Sequence, residues 1–326
     1  MRIEPALVEE VAKDLYIRAL KILPDDVKRG FASLAQRETT TKAREVLGTM
    51  IQNIAVAEAT DNLLCQDTGI PIYNVMLGRG VEIDGPALKA AIRRGCERAT
   101  REHPLRSSIV HPLTRRNEQT SCGIGVPVID IDYTADFEGL KVEMIPKGSG
   151  SENNSWLKMA IPAEGVDAIK AFVIDCVLDA GGRTCPPTIV GVGVGGTADL
   201  CVHLAKVAAT RPLGTHCEDP DGARLETELS AAVNMLGVGP QGLGGDSTAF
   251  AVHVELAATH ITMNPVAVNM LGVGPQGLGG DSTAFAVHVE LAATHITMNP
   301  VAVNMQCHSA RRASATIDAA GIRYGF

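Results

Sequence analysis

Apolar residues recur at helical spacing through the first hundred positions and then change to alternation. Leu7, Val8, Val11 and Leu15 fall on one helical face, as do Val46, Met50, Ile51, Ile54 and Ala55, with Pro24 and residues 69–71 as punctuation. Over 127–142 the pattern becomes strand-like, as in Val128, Ile129, Asp130, Ile131, Asp132 and Tyr133. The stretch 147–154, Lys-Gly-Ser-Gly-Ser-Glu-Asn-Asn, reads either as a flexible loop or as a backbone-rich anion site. A helix is predicted over 166–178, then a turn carrying Cys185, an apolar strand over 188–194 and a helix over 197–209. Together these predict an α+β fold in a single domain spanning 1–326. A mainly helical part, 1–125, precedes a mixed β-sheet region with flanking helices, 126–326.

The last third carries a tandem duplication, since residues 233–267 and 268–302 are identical at all 35 positions. Solenoid repeats of similar length come as several diverged copies, each a stackable unit, and this glycine-rich segment is neither. Ala-Val-Asn-Met stands at 232–235, 267–270 and 302–305, giving the short direct repeats across which a copying slip occurs. Removing any 35-residue window between these marks leaves the same chain, so a single-copy fold can extrude the surplus wherever a surface loop tolerates it. The surplus strand, of the type Ala249-Phe250-Ala251-Val252-His253-Val254, is then expected to be an unpaired apolar segment and an aggregation hazard.

At 326 residues the chain is long enough to hide roughly 75% of its unfolded surface, enough for one large core or two lobes. With 45% hydrophobic and 20% charged residues and no apolar run of membrane length, it reads as an ordinary soluble protein. The net charge of −8 argues against nucleic acid as a partner, although local Arg and Lys can still build a cleft for a small anion.

Eight cysteines are present, at 65, 96, 122, 176, 185, 201, 217 and 307, and no two form a C-x-x-C pair. Zinc-ribbon and thioredoxin-like readings therefore lack their spacing. No basic-then-apolar leader follows Met1, so the thiols are expected to be reduced and the compartment cytoplasmic. Cys96, Cys176 and Cys201 lie inside helical apolar patterns and read as small core residues. Cys65, Cys185 and Cys307 differ, each standing where an apolar run gives way to turn formers. A thiolate at an element's end is able to face a shared pocket and serve as a cluster ligand.

The motifs Cys65-Gln66-Asp67-Thr68-Gly69, Pro104-Leu105-Arg106, Lys147-Gly148-Ser149-Gly150-Ser151-Glu152-Asn153, Cys185-Pro186-Pro187 with Gly191-Val192-Gly193, the Gly237–Gly245 glycine run (237–245), and Cys307 with Arg311-Arg312 occur in this order. In this the chain resembles the class I, iron–sulfur-dependent fumarate hydratases and the related L-tartrate dehydratases, in particular the α subunit of two-subunit forms. The likeness runs from about residue 40 to the end. Cys185 and Cys307 are 122 positions apart, and without one copy the spacing becomes 87, which is similar to the family's. The resemblance implies a [4Fe-4S] cluster held by Cys65, Cys185 and Cys307, with the fourth iron open as a Lewis acid. It places Gln66, Asp67 and Arg106 at a dicarboxylate substrate such as fumarate or malate, with backbone N–H groups from Gly148 and Gly150. It also places His295, twelve residues before Cys307, at the active site, where an imidazole can move a proton. Its duplicate His260 is chemically the same, while His253 and His288 alternate with apolar residues and read as sheet-face residues. Further catalytic groups belong in this family to a β domain or β subunit, so a separate β chain and an αβ hetero-oligomer are implied.

Two rival readings come from other classes. Gly191-Val192-Gly193-Val194-Gly195-Gly196 satisfies G-x-G-x-x-G between a strand and a helix, the fingerprint of an NAD-dependent oxidoreductase. The acidic residue expected about 20 positions later falls at Glu218 or Asp219, in a polar loop-like segment. A chain that the duplication leaves without a cluster would instead be an inactive scaffold subunit that binds its β partner.

Overall fold

Helical spacing at the amino end becomes three consecutive helices, α1 (Pro5–Lys21), α2 (Asp25–Arg37) and α3 (Thr41–Ala59). The computed structural model describes residues 1–103, 105–272 and 311–326. The helical reading of the first part is interrupted by a strand, β1 (Ile70–Arg79), ahead of α4 (Gly85–Glu102). This strand escapes periodicity because both of its faces are buried, Tyr73 and Val75 in the core under α1 and α4 and Ile72 in the core with α2 and α3, so it lacks the clean alternation of a half-exposed strand. Asp84 caps α4 by accepting a hydrogen bond from the Ala87 N–H at 2.7 Å.

The chain continues through β2 (Val128–Glu138), β3 (Leu140–Lys147), the single turn α5 (Ser149–Glu152), β4 (Ser155–Ala160) and α6 (Gly165–Ala180). Next come β5 (Thr188–Gly195), α7 (Ala198–Thr210), α8 (Pro220–Asn234), β6 (Ala249–Ala257) and β7 (Asn264–Leu271), and the described chain closes with β8 (Ala313–Asp318) and β9 (Gly321–Gly325). One sheet has the order β2-β1-β3-β8-β9 and the other β4-β7-β5-β6, each mixing parallel and antiparallel pairs. The α+β expectation thus holds.

Helices α1 and α4 cover the first sheet through Val8, Leu15, Leu88 and Ile92 against Tyr73, Val142 and Met144. Helices α6 and α8 cover one face of the second sheet, and α7 lies on the other. A third core joins α2 and α3 to both sheets through Ile72, Ile145, Ile189 and Leu271, with Leu64 at its edge. Cys65 therefore emerges where the two sheets come together.

The glycines of the dinucleotide-like motif are used for packing. A Cβ on Gly191 would meet the Ala205 carbonyl at 2.1 Å, and one on Gly193 the Cys201 carbonyl at 2.2 Å. Their absence lets the α7 backbone lie directly on β5, which accounts for the motif without a nucleotide.

The duplication resolves in a definite way. The first copy supplies β6, paired in parallel with β5 (Val254 opposite Val192), so this copy of the apolar strand is built into the sheet. Its outer edge is covered by side chains: Ser230 Oγ accepts from Val252 N–H at 3.0 Å and Glu226 Oε1 from Val254 N–H at 2.8 Å. Arg211 also donates to the Val254 carbonyl at 3.1 Å. Such covering removes the open ladder that makes an edge strand adhesive. Strand β7 then crosses the junction, with Ala267 ending the first copy and Val268 opening the second.

His253 on β6 is buried and shares a hydrogen bond between Nδ1 and the Ala208 carbonyl at 3.1 Å. Burial, aided by the Arg211 charge, pushes its pKa down from 6.5 to about 4. Folding then favours the neutral ring, so this contribution is complete above pH 6.5 and is lost as the pH falls towards 4. The loss amounts to about 3 kcal/mol. Urea midpoints at pH 7 and pH 4.5 should show the wild type losing more stability on acidification than His253→Gln; parallel losses would contradict this.

Candidate functional site

Three turns converge at the junction of the sheets. The first follows α3 and carries Cys65, wholly buried, with its Sγ accepting a hydrogen bond from the Asp67 N–H at 3.4 Å. The second follows α6 and carries Cys185, buried, in the left-handed region at φ 56°. Burial pushes the Cys65 thiol up; the Arg311 guanidinium opposes that shift, and the charges of Asp67 and Cys185 add to it. Cys65 and Cys185 are thus electrostatic neighbours.

The third turn is the end of β7. Gly272 stands two positions after Met270, as Cys307 stands two positions after Met305, so Gly272 occupies the place that Cys307 would take after a single copy. A Cβ there would meet the Thr184 carbonyl at 1.8 Å, one residue before Cys185. The Gly272 carbonyl also lies 3.4 Å from where a Cβ on Gly148 would stand. A cysteine in this slot would adjoin Cys185 once the Thr184 turn moved aside.

Asp67 ties the first turn to the 147–154 stretch. Its Oδ1 accepts from Gly69 N–H at 2.9 Å and its Oδ2 from Ser149 N–H at 3.0 Å, with the Ser149 hydroxyl at 3.3 Å. The stretch itself is ordered: Gly148 precedes α5, Gly150 and Ser151 are buried, and Ser151 donates to the Gly148 carbonyl at 3.0 Å. Of its two sequence readings, the flexible loop is replaced by a fixed turn. Arg106 is half-buried, and its carbonyl accepts a hydrogen bond from the Thr68 hydroxyl. Gln66 is exposed beside Cys65.

Pro104, His295 and Cys307 lie outside the described residues. Among the described residues no group of three His, Cys, Asp or Glu side chains is placed to hold a metal ion. The first-copy histidine, His260, is exposed in the turn joining β6 to β7, where its Nδ1 shares a hydrogen bond with the Thr262 hydroxyl at 2.8 Å. That turn is at the Gly195 end of β5, about 25 Å along the strand from the Cys185 end. Cys96, Cys176 and Cys201 are buried on α4, α6 and α7, as their helical pattern predicts.

Two residues of the quoted motifs have surroundings that the sequence does not show. Lys147 is fully buried, donates to Ser151 Oγ at 2.8 Å and pairs with Glu152 at 3.2 Å, and Lys206 joins Glu152 at 2.6 Å. Burial pushes Lys147 down to about 8; burial raises Glu152, but the two ammonium groups outweigh it and hold Glu152 at about 2. This network anchors α5 from beneath. Arg311 is also buried, donating from Nη2 to the Asp67 carbonyl at 2.6 Å. The only available signal was position: a lysine opening a glycine-rich stretch, and an Arg pair four residues after Cys307.

The family description "Fumarate hydratase (Fumerase)" matches residues 9–271 and, overlapping it, 267–316. This chain belongs to the fumarate hydratase family. The two matches overlap on β7, where the two copies meet. Among the relatives is a protein of Methanocaldococcus jannaschii, named provisionally as L(+)-tartrate dehydratase subunit alpha. It is 40% identical over 262 residues, covering 79% of this chain and 92% of that one. The L(+)-tartrate dehydratase subunit alpha of Escherichia coli strain K12 is 32% identical over 238 residues, covering 73% and 78%. That of Shigella sonnei matches to the same extent, 32% over 238 residues. Family membership makes the chain a hydro-lyase. No helix among the described residues is long and apolar enough to cross a membrane.

Proposed function

We propose that this chain is the α subunit of a [4Fe-4S]-dependent hydro-lyase that interconverts fumarate and malate, with Cys65, Cys185 and Cys307 as cluster ligands. The reading is supported above all by the convergence of the Cys65 turn, the Cys185 turn and the end of β7. The buried thiols and the buried Arg311 guanidinium suit an anionic, sulfur-ligated group. Such a cluster supplies a Lewis-acidic iron for the hydroxyl and carboxylate of the substrate.

The chain's own residues would bind and orient the substrate. Arg106 offers a planar fork to one carboxylate, and Gln66 offers an amide on the exposed side. Asp67, held by Ser149 and Gly69, fixes the turn that carries Gly148 and Gly150, whose N–H groups are the backbone donors. A proton-transfer role for His295 requires a position other than that of its twin His260, which faces solvent at the opposite end of the sheet. The remaining groups would come from a separate β subunit, in keeping with relatives named as subunit alpha, and the reduced thiols fit the cytoplasm.

Tartrate is the second reading, favoured by the names of those relatives. Anaerobic iron and sulfide reconstitution, co-expression with the β chain and assays on fumarate, malate and L-tartrate test both. Fumarate hydration dominating supports the first reading; tartrate dehydration dominating replaces it with the second; no turnover of any of these acids by an iron-loaded pair overturns both.

A further inference from the structure

Arg311 has a guanidinium with too few partners. It is 1% exposed and the largest of the fully buried side chains, yet only Nη2 is satisfied, while Nε and Nη1 have no hydrogen-bond partner. Among the described residues no carboxylate pairs with it. A guanidinium cannot shed its proton to escape burial, so an unpaired one is a standing cost that an anion nearby would remove. Arg312 differs in one respect: equally buried and likewise with Nε and Nη1 unpartnered, it has a carboxylate, Asp26, at 2.7 Å to neutralise its charge. Arg311 faces the Cys65–Asp67 turn, and its charge acts on Cys65.

We propose that Arg311 is a positioning residue whose buried charge offsets the negative charge of the thiolate-held cluster, a role that rests on the reading of the site given above. A cubane gripped by thiolates is anionic, and the Arg311 charge already acts on Cys65, the first of the proposed ligands. In the apo chain the guanidinium destabilises the fold; in the loaded chain it holds the cluster.

The two states therefore predict opposite signs for one substitution. With full-length protein, apo Arg311→Met is expected to melt at or above the wild-type temperature, whereas apo Arg312→Met, which strands Asp26, melts several degrees lower. After anaerobic reconstitution, iron release from Arg311→Met to a chelator should be about tenfold faster than from wild type, and Arg311→Lys should recover part of the difference. Release at the wild-type rate, or an apo melting temperature that falls as in Arg312→Met, would overturn the proposal alone. Failure of the wild-type chain to take up any iron would instead overturn the cluster reading, and this role with it.

Discussion

Val254→Asp is expected to lower the melting temperature by several degrees or more, and by more than the same change at Val289, its twin in the second copy. Val254 is fully buried on β6 opposite Val192, and its N–H is already bonded to Glu226. A carboxylate there would lie unpaired among Val190, Val192 and Val252, costing about 4 kcal/mol or more against a total stability of about 5–15 kcal/mol. Among the described residues the strand position beside β5 is filled by the first copy. Thermal melts of the two variants decide it. Equal destabilisation by both, or a larger effect at Val289, would show that the second copy also serves the sheet.

Cys65→Ser is expected to abolish uptake of the proposed iron–sulfur cluster, while Cys176→Ser leaves iron content unchanged. Cys65 lies at the convergence of turns beside Cys185 and Arg311, whereas Cys176 is enclosed on α6 among Val173, Val177 and Ala180. Iron analysis and visible absorbance after anaerobic reconstitution report the outcome, and full iron in Cys65→Ser would refute the ligand assignment. Deleting 268–302 joins Ala267 to Val303 and carries Cys307 into the slot that Gly272 fills. Iron content of the deletion variant should equal or exceed that of the full chain, and in air it should lose activity as an exposed iron is oxidised. A deletion variant that folds but holds less iron would count against the slot.

Much of this was legible before any coordinates. Helical spacing marked α1, α3, α6 and α7, alternation marked β2, and the thiols at element ends were separated from those inside helices. Strand β1 was not legible, because a strand enclosed on both sides loses the period that identifies it. The glycines at 191 and 193 misled as a nucleotide motif, since a close helix–strand approach and a phosphate cradle make the same demand for a missing Cβ. The burial of Lys147 and Arg311 was not legible, for burial of a charge depends on what distant segments bring over it.

Many of the local elements, the family and the set of candidate thiols follow from neighbouring residues, because periodicity and motif chemistry are short-range properties. Long-range packing puts the first copy into β6 and runs β7 on into the second, leaving Gly272 beside the Cys185 turn. Identical segments have identical local energetics. The first copy is held in the space beside β5 by its pairing there and by the side chains of α8 that close over its edge.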